Sequence, residues 1–191
     1  MGHSQAQKAD NRERILALAA AHIRAHGIDS LSVAPLMDAA GLTHGGFYGH
    51  FASRDALIAA AIVRALDDGA AGAAHASGGN LGEIARSYLS RRHRDSPATG
   101  CAIAAIGSET ARASDVSRAA MAAQIETFIA GVRPFVADDG QAALAVSAMV
   151  GALTLARIYP DRARADSLLK AVRTAIAALD TQGSGEPGTT A

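Results

Sequence analysis

Apolar residues recur at intervals of three and four along nearly the whole chain, and nowhere convincingly at intervals of two. That spacing places them on one side of successive α-helices and gives a β-strand no face to bury. Composition points the same way. The hydrophobic fraction is 49% with only 4% aromatic residues, and much of it is alanine, which loses no side-chain entropy in a helix. The chain is therefore expected to be all-α, with small side chains that let helices approach closely. Its 191 residues suit one domain, or a small domain feeding a larger one.

The periodicity begins near Arg12, with Ile15, Leu16, Ala19, Ala20 and Ile23 on one stripe and Gly27 as the stop. Ser32 reads as the N-cap of a short second helix whose Leu36, Met37 and Ala40 face inward, with Pro35 in its first turn and Gly41 at its end. A third helix is predicted after Thr43, running to about Phe51. Ser53 then opens a long fourth helix carrying Leu57, Ile58, Ala61, Ile62, Ala65 and Leu66. Beyond Gly78-Gly79, helices are predicted over 81–94, 101–113, 116–136, 140–158 and 162–179, broken by Pro97, Gly100, Asp138-Asp139 and Pro160. The count is about nine helices. Thr181–Ala191 is mostly Gly, Ser, Thr and Pro, and is expected to be a disordered tail (181–191).

Several function classes are disfavoured. Lys+Arg and Asp+Glu are equal at 18 each, which argues against coating nucleic acid through bulk charge but not against one locally positive docking face. Cys101 is the single cysteine, so no intramolecular disulfide and no cysteine-based metal site is expected. The N-terminal residues lack the order of a signal peptide. The longest apolar stretch, Ala142 to Ala156, falls short of the roughly 20 residues that span a bilayer. A cytoplasmic protein with no membrane partner is expected. There is no Gly-rich phosphate loop, no His-Glu-x-x-His, no nucleophile elbow and no Cys/His zinc spacing, so neither an enzyme nor a metal or cofactor site is predicted.

The most informative segment is Leu31 to Phe51. Two short helices are separated by Gly41-Leu42-Thr43: a glycine at the turn, an apolar plug and a capping residue. That is the length and chemistry of a helix-turn-helix, whose second helix enters the major groove with its N-terminal residues nearest the bases. Those residues are Thr43, His44, Gly45 and Gly46, with Tyr48 one turn on. Phe47 and Phe51, four apart, share a face and should pack the core. Gly41-Leu42-Thr43 followed by Phe47-Tyr48-Gly49-His50-Phe51-Ala52-Ser53-Arg54-Asp55-Ala56-Leu57 resembles the signature of the TetR family of bacterial regulators. Arg12-Glu13-Arg14-Ile15-Leu16, Gly27 and Leu31-Ser32-Val33 match that family's run into the motif. The detailed resemblance covers about residues 8 to 66; the remainder matches only in length, helix count and a long apolar penultimate helix.

The resemblance implies a three-helix DNA-binding domain over residues 8–54 and a larger ligand-binding and dimerisation domain over 55–180. The partners implied are a double-stranded DNA operator, a small-molecule effector and a second copy in a homodimer. Tyr48 and His50 resemble phosphate and base-edge contacts, Arg54 the basic residue that clamps the DNA backbone, and Ser32 and Thr43 lie at helix N-termini that favour a phosphate. One departure stands out. Gly45, Gly46 and Gly49 load the reading helix with poor helix formers, each costing about 1 kcal/mol against alanine. Either the helix lies close to the groove floor, or His44, Tyr48 and DNA shape carry the specificity.

For the sensing half, Tyr88 to Cys101 gathers polar and reactive groups at a helix join. Tyr88, His93, Cys101 and Glu109 are the candidate ligand residues. Cys101 near a helix N-terminus and cationic groups suits a redox or electrophile sensor, but a lone cysteine among alanines and Ile103 also suits a small buried hydrophobe. His93 with Asp95 or Glu109 suits a polar pocket or a metal, but a solvated loop cluster is the stronger reading. For the dimer, the candidates are Val146, Met149, Val150 and Leu153 on one stripe and Leu169, Val172 and Ile176 on another, against the alternative of ordinary core packing. Two rival readings stay open: a helical ligand-binding protein with a non-functional DNA head, and an activator instead of a repressor.

Overall fold

The computed structural model describes residues 5–75 and 79–180, with side chains over 5–68 and 79–180. The expected tail, 181–191, lies outside the described residues. Nine α-helices are present among the described residues, without strands. In order they are α1 (Gln5–His26), α2 (Val33–Ala39), α3 (Arg54–His75), α4 (Leu81–Tyr88), α5 (Arg91–Asp95), α6 (Ala102–Thr110), α7 (Asp115–Val132), α8 (Asp139–Ile158) and α9 (Arg162–Ala177). Three short 3-10 segments, His44–Gly49, Pro97–Thr99 and Arg133–Phe135, lie between them. The contacts divide the chain into two units: Met1–Ala71 with Pro97–Ala123, and Gly72–Ser96 with Gln124–Ala191.

The first unit is built on the stripe expected of α1. Ile15, Ala19, Ala20 and Ile23 are fully buried, together with Leu57, Ala61, Ile62 and Ala65 of α3 and Ile106 of α6. Arg24, on the same side of α1, is also buried, at 6% exposure. A buried guanidinium is costly unless its N–H groups are answered. Its Nε–H donates to the Ala98 carbonyl (2.7 Å), Nη1 to the Ala65 carbonyl (3.0 Å), and both Nη1 and Nη2 to Asp68 (3.1 Å). One side chain thereby joins α1, α3 and the 3-10 turn ahead of α6.

In the second unit α8 packs on α9, and α9 on α4. Ala142, Ala145, Val146, Met149, Ala152, Leu153 and Ala156 of α8 are buried, as are Ala165, Leu169 and Ile176 of α9 and Leu81 and Ala85 of α4. Small residues keep the helices close: a Cβ placed on Gly82 would already lie 3.5 Å from that of Ala177. The helix starts are capped by side-chain carboxylates and amides. Asp138 accepts from the Gln141 N–H (2.8 Å), Asp161 from Ala163 (2.8 Å), and Asn80 from Glu83 (2.9 Å), satisfying donors that have no partner within the helix.

Two of the predicted helices depart from expectation, each for a local reason. The helix predicted over 81–94 is broken at Leu89-Ser90, because the Ser90 hydroxyl caps a new start by accepting from His93 N (3.2 Å). The helix predicted to 136 gives way at Val132 to a 3-10 turn holding Pro134. The apolar stretch read as 142–156 belongs to a 20-residue helix, and α8 is long and apolar enough by composition to cross a membrane; seven of its residues are instead buried in the protein. Leu153→Ala is expected to lower stability by about 2–5 kcal/mol, read from urea denaturation.

Candidate nucleic-acid interface and sensing residues

α2 ends as the sequence demands. Gly41 adopts φ +67, its N–H donates to the Asp38 carbonyl, and the Leu42 N–H donates to the Met37 carbonyl, both at 2.9 Å. This paired closure is the Schellman geometry, and it needs a residue that tolerates the left-handed region. Pro35 sits in the first turn of α2, where it breaks no helix bond. Leu36, Met37 and Ala40 turn inward as expected.

The second element of the motif differs from the helix predicted after Thr43 to about Phe51. It is a six-residue 3-10 helix, His44–Gly49. Three of those six residues are glycine, so the α-form has little propensity to hold it, and 3-10 geometry is tolerated in pieces this short. Phe47 and Phe51 nevertheless pack inward, 2% and 4% exposed, with ring centroids 5.8 Å apart and nearly parallel. The Arg12 guanidinium covers the Phe51 ring at 4.4 Å, a cation–π contact tying α1 to the residues just after this element.

On the outer side, Tyr48 is 73% exposed, its ring meeting Phe47 edge-on at 5.3 Å. Thr43, His44, Gly45 and Ser32 are exposed, while Gly46 and His50 are half-buried. Ser32 and Thr43 stand at the N-cap positions with extended backbone but make no side-chain cap bond. Arg54 has a task that sequence spacing did not show. Its Nε–H donates to the Leu31 carbonyl (3.1 Å), and its Nη2 points to the carbonyls of Asp29 (3.3 Å) and Ile28 (3.5 Å). The guanidinium holds the α1–α2 loop.

With this geometry in view, residues 15–61 match the family model for bacterial regulatory proteins of the TetR family. That segment is a TetR-family DNA-binding domain. Solved structures agree in fold. A TetR-family transcriptional regulator from Cytophaga hutchinsonii superposes with a TM-score of 0.74 at 20% identity, covering 95% of this chain and 99% of that one. A TetR transcriptional regulator from Chloroflexus aurantiacus gives 0.74 at 25%, covering 91% and 96%, and the reduced form of E. coli NemR gives 0.72 at 21%, covering 90% and 97%. A comparison with curated protein sequences finds no match. The helix-turn-helix is thus that of a DNA-binding transcriptional regulator.

The candidate ligand residues divide between the two units. Tyr88 and His93 lie in the second unit, Cys101 and Glu109 in the first. Tyr88 stacks edge-on against His93 (4.7 Å) and at a tilt on Phe128 (5.3 Å). The Nδ1–H of His93 donates to the Tyr88 carbonyl at 2.7 Å, which fixes the ring. Cys101 is half-buried at the N-cap position of α6. Glu109 is committed elsewhere: its Oε2 accepts the Ile28 N–H at 2.6 Å.

Beside His93 lies a charged arrangement that the sequence did not single out. Arg94, 5% exposed, donates to both oxygens of Asp95 (2.8 and 3.0 Å) and to Asp166 (2.7 Å). Arg157 donates to the carbonyls of His93 (3.1 Å) and Arg94 (3.2 Å). Arg162 pairs with Asp95, and Arg91 with Asp166. The hydrogen bonds from Arg94 hold the Asp95 carboxyl at about 2, well below its ordinary value. Partial burial pushes Asp166 upward, but the bonds from Arg94 and Arg91 outweigh it and leave it low.

The proposed dimer residues also resolve differently. Val146, Met149, Leu153, Leu169 and Ile176 are core residues of one protomer, and Val150 and Val172 are half-buried. The five buried side chains face neighbouring helices of their own chain, so they present no surface to a partner. On α8 the outward apolar residues are Leu144, Leu155 and Ile158, followed by Tyr159, at 59, 51, 70 and 40% exposure.

Burial drives the His93 pKa below its ordinary 6.5; the nearby Arg157 charge adds to this, and the bond to the Tyr88 carbonyl only partly opposes it. The unfolded chain therefore binds this proton first, and stability falls as pH drops below 6.5 toward the lowered folded value. His93→Gln keeps a donor for the Tyr88 carbonyl without titrating. It is expected to flatten the change in urea midpoint between about pH 7.5 and about pH 5.5. Asp95, already ionised throughout that window, does not contribute to the difference.

Proposed function

We propose that this regulator is a ligand-responsive repressor, which binds a palindromic operator as a homodimer in the cytoplasm and is released by a small molecule. The observation that carries the reading is the exposed edge of the motif: Thr43, His44, Gly45 and Tyr48 stand outward on a segment, 43–51, whose Phe47 and Phe51 are locked into the core. With no cap bond to make, the Ser32 and Thr43 hydroxyls suit phosphate oxygens at the starts of the two elements. His44 and Tyr48 are the side chains long enough to reach base edges or phosphates, since the glycines have none. A single reading element this short contacts few base pairs, and two heads about one helical turn apart (~34–36 Å) read a palindrome.

The second copy is assigned to α8. Leu144, Gly151, Leu155 and Ile158 recur at 7, 4 and 3 residues along it, the spacing of one helix face. That face carries three exposed large apolar side chains, beside the core stripe that the same helix buries in its own protomer. Tyr88, His93 and Cys101 remain the side chains proposed to meet an effector. The effector acts only through different affinities for the DNA-competent and DNA-incompetent forms. The three glycines and the 3-10 geometry favour, as a second reading, a helical ligand-binding protein whose head no longer binds DNA.

The deciding experiment is a fluorescence-anisotropy titration on the DNA upstream of the protein's own coding region, with a scrambled duplex for comparison, at two salt concentrations. Tight binding that prefers the native duplex and weakens steeply with salt is expected; equal, weak binding to both favours the second reading. In the same assay Tyr48→Ala should lose affinity at unchanged stability, whereas Phe47→Ala should also lose about 3–5 kcal/mol of stability. Leu155→Lys or Ile158→Lys should raise the dimer dissociation constant at least about 10-fold, read by sedimentation; a persistent dimer would remove α8 from the interface.

A further inference from the structure

The chain between α1 and α2 leaves the helix through Gly27 at φ +87 and reaches Ser32 and the start of α2. Within this loop the Ser30 hydroxyl donates to the Gly27 carbonyl (2.8 Å) and accepts from His22 Nε2–H (3.0 Å), and the Leu31 N–H donates to the Ile28 carbonyl (3.2 Å). Two charged side chains from distant parts of the sequence hold it from outside. Arg54 of α3 takes its carbonyls. Glu109 of α6 takes the Ile28 N–H at 2.6 Å, across 81 residues of sequence.

We propose that Glu109 is a positioning residue for DNA reading: by gripping the Ile28 amide it makes the conformation of the α1–α2 loop, and hence the seating of α2, depend on where α6 lies. The regulation inferred here rests on the DNA-binding reading only for its last step, from loop to DNA affinity.

Three observations carry it. The bond is short and charge-assisted, the strong class of hydrogen bond. The fit leaves no slack, because a Cβ on Gly27 would lie 3.1 Å from both Glu109 oxygens; Gly27 is required there by that approach as well as by its φ. And α6 is tied to α1 at a second point, since the turn immediately before it supplies the Ala98 carbonyl to buried Arg24. The two ends of the Pro97–Thr110 stretch are thus bonded to Arg24, near the C-terminal end of α1, and to Ile28, two residues beyond it. A shift of α6 along its axis cannot leave the loop unchanged while both bonds persist.

The test uses the full chain without DNA, followed by hydrogen–deuterium exchange, with Glu109→Ala and Glu109→Gln. Glu109→Ala is expected to speed exchange at Ile28 to Leu31 by about 10- to 100-fold while leaving the α8 and α9 amides at wild-type rates. Glu109→Gln retains an acceptor oxygen and should restore most of the protection. Gly27→Ala, which pushes the carboxylate away, should reproduce the Glu109→Ala pattern. Unchanged exchange at Ile28, or equal acceleration in α8 and α9, would overturn the proposal. For the last step, a duplex selected by the wild type from a random library should bind Glu109→Ala more weakly, with the same salt slope, because no phosphate contact is removed. Equal affinity despite a loosened loop also overturns it. A wild type that selects no duplex sinks the DNA-binding reading, and the exchange pattern alone then decides the grip on the loop.

Discussion

The Arg24 guanidinium sits in the middle of the first unit with almost no access to water, and everything around it is arranged to answer its N–H groups. A charged group in that position must be bonded throughout or not be there at all. Its partners come from α3 and from the turn before α6, so α1 cannot occupy its place unless those elements occupy theirs. Asp68, the carboxylate partner, is held in turn by Arg64, which also reaches Glu13 on α1. A purely apolar contact between alanine-rich helices permits sliding. This network fixes axial register, and the Gly27–Ser32 loop inherits it.

The second unit solves the same problem differently. Its helices are lined with alanine, and close approach of α8 to α9 and of α9 to α4 replaces the bulk that aromatic residues supply elsewhere. Such contacts are weakly directional. Direction comes from Arg94, which bridges Asp95 to Asp166 of α9, and from Arg157 of α8, which caps the carbonyl end of α5. Both units therefore set the register of small-residue helices with a buried or half-buried arginine.

How far this was legible in the sequence depended on the range of the interaction. The Schellman end of α2 was written in Gly41-Leu42, and the core roles of Phe47 and Phe51 in their four-residue spacing. The breaks at Asp138, Pro160 and Pro97 were visible because capping residues and proline act within one turn. The 3-10 form of the reading element was half-visible: its three glycines were noted as poor helix formers, but propensity alone does not say what replaces the α-helix. The bonds of Arg54 and Glu109 to the α1–α2 loop, 23 and 81 residues away, had no trace in the sequence.

The sequence by itself determined the all-helical class, the helix-turn-helix, and its kinship with TetR-family regulators, because periodicity, caps and turn glycines are local codes. Only the tertiary structure decided which side of α8 is core. That helix is apolar on nearly every side, so spacing shows which residues share a face without showing which face is covered. Val146, Met149 and Leu153 went inward, and Leu144, Leu155 and Ile158 stayed out. The same holds for the partners of Glu109 and Arg24: a side-chain bond to a distant backbone group leaves no periodic trace, and it exists only once the helices have packed.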